Sequence, residues 1–234
     1  MTKEDVMKYL STKGSEQTVK IYRNHGCNSE LFGVKVGDMK PLQKQIKVDH
    51  KLAIELYRTK NGDAQYFAGL IADPKAFTRE QFEEWGDNST WYMVSEYALA
   101  WNLAENENCV QICKEWINSS SQLRKASAWA ALSAHLGITP DSELQMDFFR
   151  QLLSKVENEI GTESGRVAYT MNGFVIALGG VEGFTENCIE AGKRIGKVEI
   201  EMGKTSCKVP FIPEYIDSMI KRGRIGKKKK TAKC

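Results

Sequence analysis

The chain has 234 residues, 41% hydrophobic and 27% charged, an ordinary composition for a soluble protein and enough length to bury a sizeable core. No apolar run approaches the length of a membrane span, and Met1-Thr2-Lys3-Glu4-Asp5 lacks the apolar stretch of a signal peptide, so a cytoplasmic protein with no membrane partner is expected. The net charge of +3 hides a segregation: residues 219–234 hold eight Lys or Arg and no acid, leaving 25 basic against 30 acidic residues elsewhere. That excludes a uniformly basic nucleic-acid binder, so any DNA-binding face must be built by local sorting of charge.

Taken in order, the chain reads as short helices. Ala53, Ile54, Leu56 and Tyr57 form a stripe over residues 49–59. Asn61-Gly62 ends it, and Asp63 starts a helix over 64–72 with Phe67, Leu70 and Ile71 on one face; Asp73-Pro74 breaks that helix. Thr78-Arg79-Glu80-Gln81 has the spacing of a capping box, opening a helix over 79–85. Thr90 is expected to cap the next, over 91–104. Helices over 108–117 and 121–136 follow, the second stopped by Gly137. Pro140 and Asp141 open one over 142–156, then come 165–178, 185–195 and 213–221. Val198, Ile200 and Met202 alternate, which allows a short extended segment within 198–210. The second helices of successive pairs start near 62, 90, 122 and 162, an irregular repeat that favours an all-α solenoid of antiparallel helix pairs over an irregular helical globule.

Cys27, Cys109, Cys113, Cys188, Cys207 and Cys234 show no paired C-x-x-C spacing, and reduced thiols are expected. With only His25, His50 and His135, and no zinc-like spacing, neither a metal nor another cofactor is expected.

Three groups of residues could carry function. Trp91 and Ser95 are four apart, so they share one helical face, and an aromatic beside a polar group can hold a flat cation such as an alkylated base. Glu96 points about a quarter-turn away. Arg124 and Lys125 place positive charge in a first helical turn, where negative charge is favoured; they fit either a bound backbone phosphate or a solvated surface pair. Lys40, Lys44, Lys47 and Lys51 recur at helical spacing opposite Leu42 and Ile46, as a solvated face or a phosphate track. Phe174 shares a helix with Tyr169 and Met171, where core packing is its default role. The residues after 221 read as a mobile basic tail able to add non-specific affinity for polyanions.

Four motifs in this order, Phe32-Gly33-Val34 leading into Pro41-Leu42, Trp91-Tyr92-Met93-Val94-Ser95, Leu123-Arg124-Lys125-Ala126 and Asn172-Gly173-Phe174, give the chain a resemblance to the DNA alkylation repair proteins of the AlkD type. These are HEAT-like repeat DNA glycosylases, and the resemblance covers about residues 15 to 180, leaving 195–234 as an extension. It implies a single HEAT-like repeat domain over 1–221, a basic, disordered tail over 222–234, and a monomer that grips duplex DNA on a concave face. In the family, two tryptophans and a carboxylate surround a cationic methylated purine, and cation–π contact and the carboxylate stabilise developing charge. The resemblance places Trp91 at the first tryptophan, Ser95 at the carboxylate, Phe174 at the second tryptophan and Lys125, beside Arg124, at the backbone contact. A serine cannot oppose positive charge on the sugar as a carboxylate does, and losing such a group costs roughly a hundred- to a thousandfold in rate. The reading is therefore a duplex-DNA-binding protein with weak excision of alkylated purines. The alternative is a non-catalytic HEAT-like module for nucleic acid or protein, with a peptide-binding scaffold as a third possibility.

Overall fold

The computed structural model describes residues 1–163 and 165–233; Ser164 and Cys234, the last residue of the basic tail, lie outside the described residues. All regular elements among the described residues are helical, apart from one isolated bridge between Gly14 and Val34. Residues 1–107, 202–206 and 233 form one compact unit, and residues 108–201 with 207–232 form a second.

The first unit contains α1 (Lys3–Lys13), α2 (Glu16–Asn24), α3 (Val36–Ile46), α4 (His50–Tyr57), α5 (Gly62–Ile71) and α6 (Arg79–Asn88). A π-helical turn, Val94–Leu99, then runs into α7 (Ala100–Ala104). Local chemistry sets the starts. Thr78 and Gln81 form the expected capping box on α6, and Asp49 and Asn61 accept backbone N–H groups at the heads of α4 and α5. Asn61 is thus the cap and Gly62 the first residue of α5, two residues earlier than the sequence reading, with Asp63 opening a helix over 64–72, places that start. All ten residues of α5 are buried, the mark of an interior helix, and α4 and the π turn pack against it.

The second unit contains α8 (Cys109–Trp116), α9 (Gln122–Ile138), α10 (Met146–Glu159), α11 (Gly165–Leu178), α12 (Thr185–Ile195) and α13 (Ile212–Lys221). Its most extensive contact joins α9 to α11, while α8 packs on α9 and α12 on α13. In each unit the second helices of successive pairs lie together, α5 with the π turn and α9 with α11, which is the repeat that the sequence spacing pointed to. The fold class is the expected one, all-α and built of helix pairs. No described helix is long and apolar enough to cross a membrane.

Two expectations differ. Residues 198–210 pair with no strand; instead Gly203, at φ +72°, passes so close to Asn24 O that a Cβ there would sit at 2.2 Å, and Lys204 N donates to the same oxygen. The basic segment after 221 is held at defined points. Lys228 Nζ donates to Leu136 O at 2.6 Å and pairs with Asp141 at 2.5 Å, and Lys229 N donates to Gly137 O. In the first unit, Lys233 Nζ donates to Ala72 O at 2.6 Å, and burial pulls its pKa down to about 8. Leu136, Gly137 and Ala72 end α9 and α5, so these lysines satisfy carbonyls that a helix end leaves open, which a count of charge alone does not reveal.

Candidate functional site

Around Trp91, the buried helix α5 supplies the scaffold. Asp63 accepts three backbone N–H groups, from Phe32 at 2.6 Å, Gly33 at 2.8 Å and Val34 at 3.1 Å, and so folds the 32–34 loop against the helix. Burial pushes its carboxyl above the ordinary range, against the pull of those three donors. Gln65 bridges three segments: its amide donates to Tyr57 O and Asn88 O, and its carbonyl accepts from Thr90 N and Oγ1. Thr90 therefore does not cap the following helix as expected; its hydroxyl is committed to Gln65, which fixes the backbone just ahead of Trp91.

Trp91 is 8% exposed, with its ring 5.1 Å from Tyr22 and 5.2 Å from Tyr92 by centroids. Its Nε1 is buried with no hydrogen-bond partner among the described residues. A Cβ on Gly62 would come within 3.3 Å of that nitrogen, so the glycine lets the indole lie on α5. Tyr22 donates to Val34 O at 2.8 Å, and burial pushes its phenol up to about 12.

Ser95 N donates to Trp91 O at 3.1 Å, so the two residues do share a helical turn. The Ser95 hydroxyl is 1% exposed and faces Trp91 O and Tyr92 O, each at 3.5 Å. It turns back onto its own helix, a common resting place for a helical serine. Ser95 itself lies in the π turn, Val94–Leu99, an uncommon element often found at functional positions. Glu96, in that turn, is a buried carboxylate at 7% exposure. The turn seats Ala98 against Gly69, and Asn102 donates to both Gly69 O and Ala98 O, locking it to α5.

Lys125 and Phe174 belong to the second unit. Lys125, in the first turn of α9, is ion-paired with Glu163, with both side chains largely buried. Arg124 lies over the Trp116 ring at 5.5 Å. Each of the two cations thus has a partner within the second unit. Phe174 is fully buried between Trp129, at 5.0 Å, and Phe149, at 6.3 Å, in the core packing that was its default role. Lys40, half-buried, and Lys44, exposed, lie on α3 with the buried Met39 and Leu42, but Lys47 ends that helix at φ +63° and Lys51 belongs to α4, so the four lysines do not form the one helical stripe that their spacing suggested; Lys47 and Lys51 are exposed. Among the described residues no three His, Cys, Asp or Glu side chains converge as a metal site requires.

Sequence reasoning missed Asp63, Gln65, Tyr22 and Glu163. For the first two a signal existed: polar side chains inside the run Asp63-Ala64-Gln65-Tyr66-Phe67 must be buried and bonded if the helix is interior.

Comparison with known proteins gives consistent matches. A family model described as DNA alkylation repair enzyme matches residues 6–180. An uncharacterised protein of Listeria innocua is 36% identical over 89% of this chain and 92% of its own length, and one of Listeria monocytogenes is 34% identical with the same coverage. A solved structure described as a new family of proteins related to the HEAT-like repeat DNA glycosylases, with affinity for branched DNA structures, superposes with a TM-score of 0.91. It is 34% identical, and the match covers 100% of both chains.

Proposed function

The chain belongs to the DNA alkylation repair enzyme family, and we propose that it is a DNA-binding member whose main task is to hold DNA, branched DNA included, rather than to excise bases. The observation that carries this reading is Ser95. At the position the resemblance gives to a catalytic carboxylate stands a buried hydroxyl directed at its own helix. Phe174, at the second aromatic position, is enclosed by its own core. Trp91 can supply an aromatic face, but a cation held without an opposing charge gains binding and little rate. The solved relative's affinity for branched DNA supports the same direction.

The test has two arms. Binding is measured by fluorescence anisotropy on a three-way junction and on a linear duplex of equal length. Excision is measured on duplex carrying a cationic methylated purine, for the natural chain and for Ser95→Asp. We expect nanomolar to micromolar binding that weakens with salt, weak or undetectable excision, and a gain of roughly a hundredfold in Ser95→Asp if the surrounding site is competent. Efficient excision by the natural chain, unchanged in Ser95→Ala, would overturn the reading.

One observation favours a second reading, a glycosylase that has moved its carboxylate by one residue. Glu96 is buried in a π turn that alters the helical register beside Ser95. Under that reading Glu96→Gln abolishes an excision activity that Ser95→Ala leaves intact.

A further inference from the structure

The C-terminal helix α13 carries a groove, lined in part by the first residues of the basic tail, that the family site does not explain. Residues 210–224 lie beyond the matched family region, which ends at 180. Within α13, Ile212 and Ile216 are fully buried, and the close seating of the helix depends on glycines beneath it. A Cβ on Gly192 would meet Ile212 at 2.6 Å, one on Gly179 would meet Ile216 at 2.5 Å, and one on Gly180 would meet Met219 at 2.8 Å. Asn172, from the Asn172-Gly173-Phe174 motif, donates to Pro210 O at 3.0 Å and fixes the approach to the helix.

That seating leaves the other stripe of the helix open. Phe211, Tyr215 and Arg222 follow at spacings of four and seven, so they line one face, with Met219, whose methyl end rests over Gly180, between the two stripes. With Arg224 and Glu214 they border a groove of about 500 Å³. Tyr215 is 50% exposed. Arg222 and Arg224 are exposed, with no ion pair among the described residues. Lys221, Lys227, Lys229 and Lys230 are exposed beside them, and the acids in this segment are Glu214 and Asp217.

We propose that this groove binds an unpaired nucleotide of DNA, its base stacked on Tyr215 and its phosphates met by Arg222 and Arg224. The proposal rests on the DNA-binding reading above and names where one part of the ligand sits. A half-exposed aromatic ring next to two planar guanidinium groups is the combination that single-stranded sites use, stacking on the base and charge on the backbone. Bases inside a duplex have both faces covered by neighbours and cannot stack on a side chain. The groove therefore selects bases released at a fork, a branch or a single-stranded end. Glu214 sets a limit: it repels a phosphate, so the backbone is expected to run along the Arg222 and Arg224 side and leave Glu214 at the sugar or base edge.

The experiment compares a fork with single-stranded arms against a fully paired duplex of the same length, by anisotropy at fixed salt, using the full chain. Tyr215→Ala should weaken fork binding roughly tenfold and duplex binding less than twofold, while Tyr215→Phe stays within twofold on both. Arg222→Gln with Arg224→Gln should lower the salt slope on a single strand by about 1.4, at about 0.7 for each phosphate no longer neutralised. Tyr215 is exposed, so circular dichroism melting should be unchanged by either substitution and confirms that each variant folds. Equal loss on fork and duplex, or no loss on either, would overturn the groove while leaving DNA binding standing. Tighter binding of an acidic peptide than of the fork would overturn it in favour of a protein partner. A natural chain that binds neither DNA removes both the groove and the reading on which it rests.

Discussion

Gly69→Ala probes the contact that positions the candidate site. In a helix interior this substitution is usually favourable by about 1 kcal/mol, because glycine loses more backbone entropy than alanine on folding. At Gly69 the new Cβ would lie 2.4 Å from Ala98 Cβ, 2.7 Å from Ala98 Cα and 2.9 Å from Ala98 O. Two of those atoms are backbone of the π turn and cannot rotate away. Overpacking of this kind costs about 1–3 kcal/mol. The separation also stretches the Asn102 bond to Gly69 O, now 2.9 Å, and leaves a buried amide poorly paired at a cost of about 1–3 kcal/mol. Offsetting these by the helix propensity gives a net loss of roughly 1–5 kcal/mol, centred near 3. Gly173→Ala is the matched control: it too is inside a helix, α11, but a Cβ there meets nothing within 4 Å. It is expected to stabilise by about 0.5–1 kcal/mol. Urea unfolding of both variants measures the difference, with the slope checked for constancy. If Gly69→Ala were as stable as the natural chain, the close approach of α5 to the π turn would not be what holds Ser95 and Glu96 in place.

Three further outcomes are expected. Gln65→Leu keeps size but strands Tyr57 O, Asn88 O and the Thr90 donors, so it should destabilise by about 2–4 kcal/mol and raise amide exchange at 88–91; a loss under 1 kcal/mol would refute the bridging role. Lys233 titrates near 8 when folded and near 10.4 when unfolded, so the unfolded chain binds more protons between those values and stability should rise with pH across that window. Lys233→Met should abolish that rise in thermal melts, and an identical pH profile would show that the lysine is not buried in solution. Replacing Lys44, Lys47 and Lys51 with Gln should reduce the salt slope of duplex binding by up to about 2.7 if all three contact phosphates, whereas an unchanged slope leaves them as solvated surface charges.

Much of the helical architecture could be read from the chain because its signals are local. The Thr78–Gln81 box, the Asp73-Pro74 break and the apolar stripe of Ala53, Ile54, Leu56 and Tyr57 act within one or two turns. The first two helices escaped because their apolar faces are thin: α1 buries only Val6 and Leu10, and α2 buries only Thr18. The tail escaped for a different reason. Its seven basic residues look like a solvated run, but Lys228 and Lys233 are consumed by carbonyls at helix ends that are distant in sequence.

The candidate site shows the same division and sets what has to be measured. Spacing correctly put Trp91 and Ser95 on one turn, since the bond from Ser95 N to Trp91 O is an ordinary helical one. Spacing could not foresee the π turn that starts at Val94, because nothing in Val94-Ser95-Glu96-Tyr97-Ala98-Leu99 departs from a normal helix sequence. The cause is tertiary: Gly69 and Asn102 draw Ala98 onto α5, and the backbone takes the wider turn that this seat requires. A helical wheel therefore holds up to Ser95 and fails after it, so it cannot say where Glu96 points. The functional choice turns on that failure. If the site lacks a usable carboxylate, Ser95→Asp is the substitution that restores rate, and if the π turn already presents one, Glu96→Gln is the substitution that removes it. Excision assays on those two variants, beside binding that neither should weaken more than twofold, separate a DNA-holding protein from a glycosylase with a displaced acid.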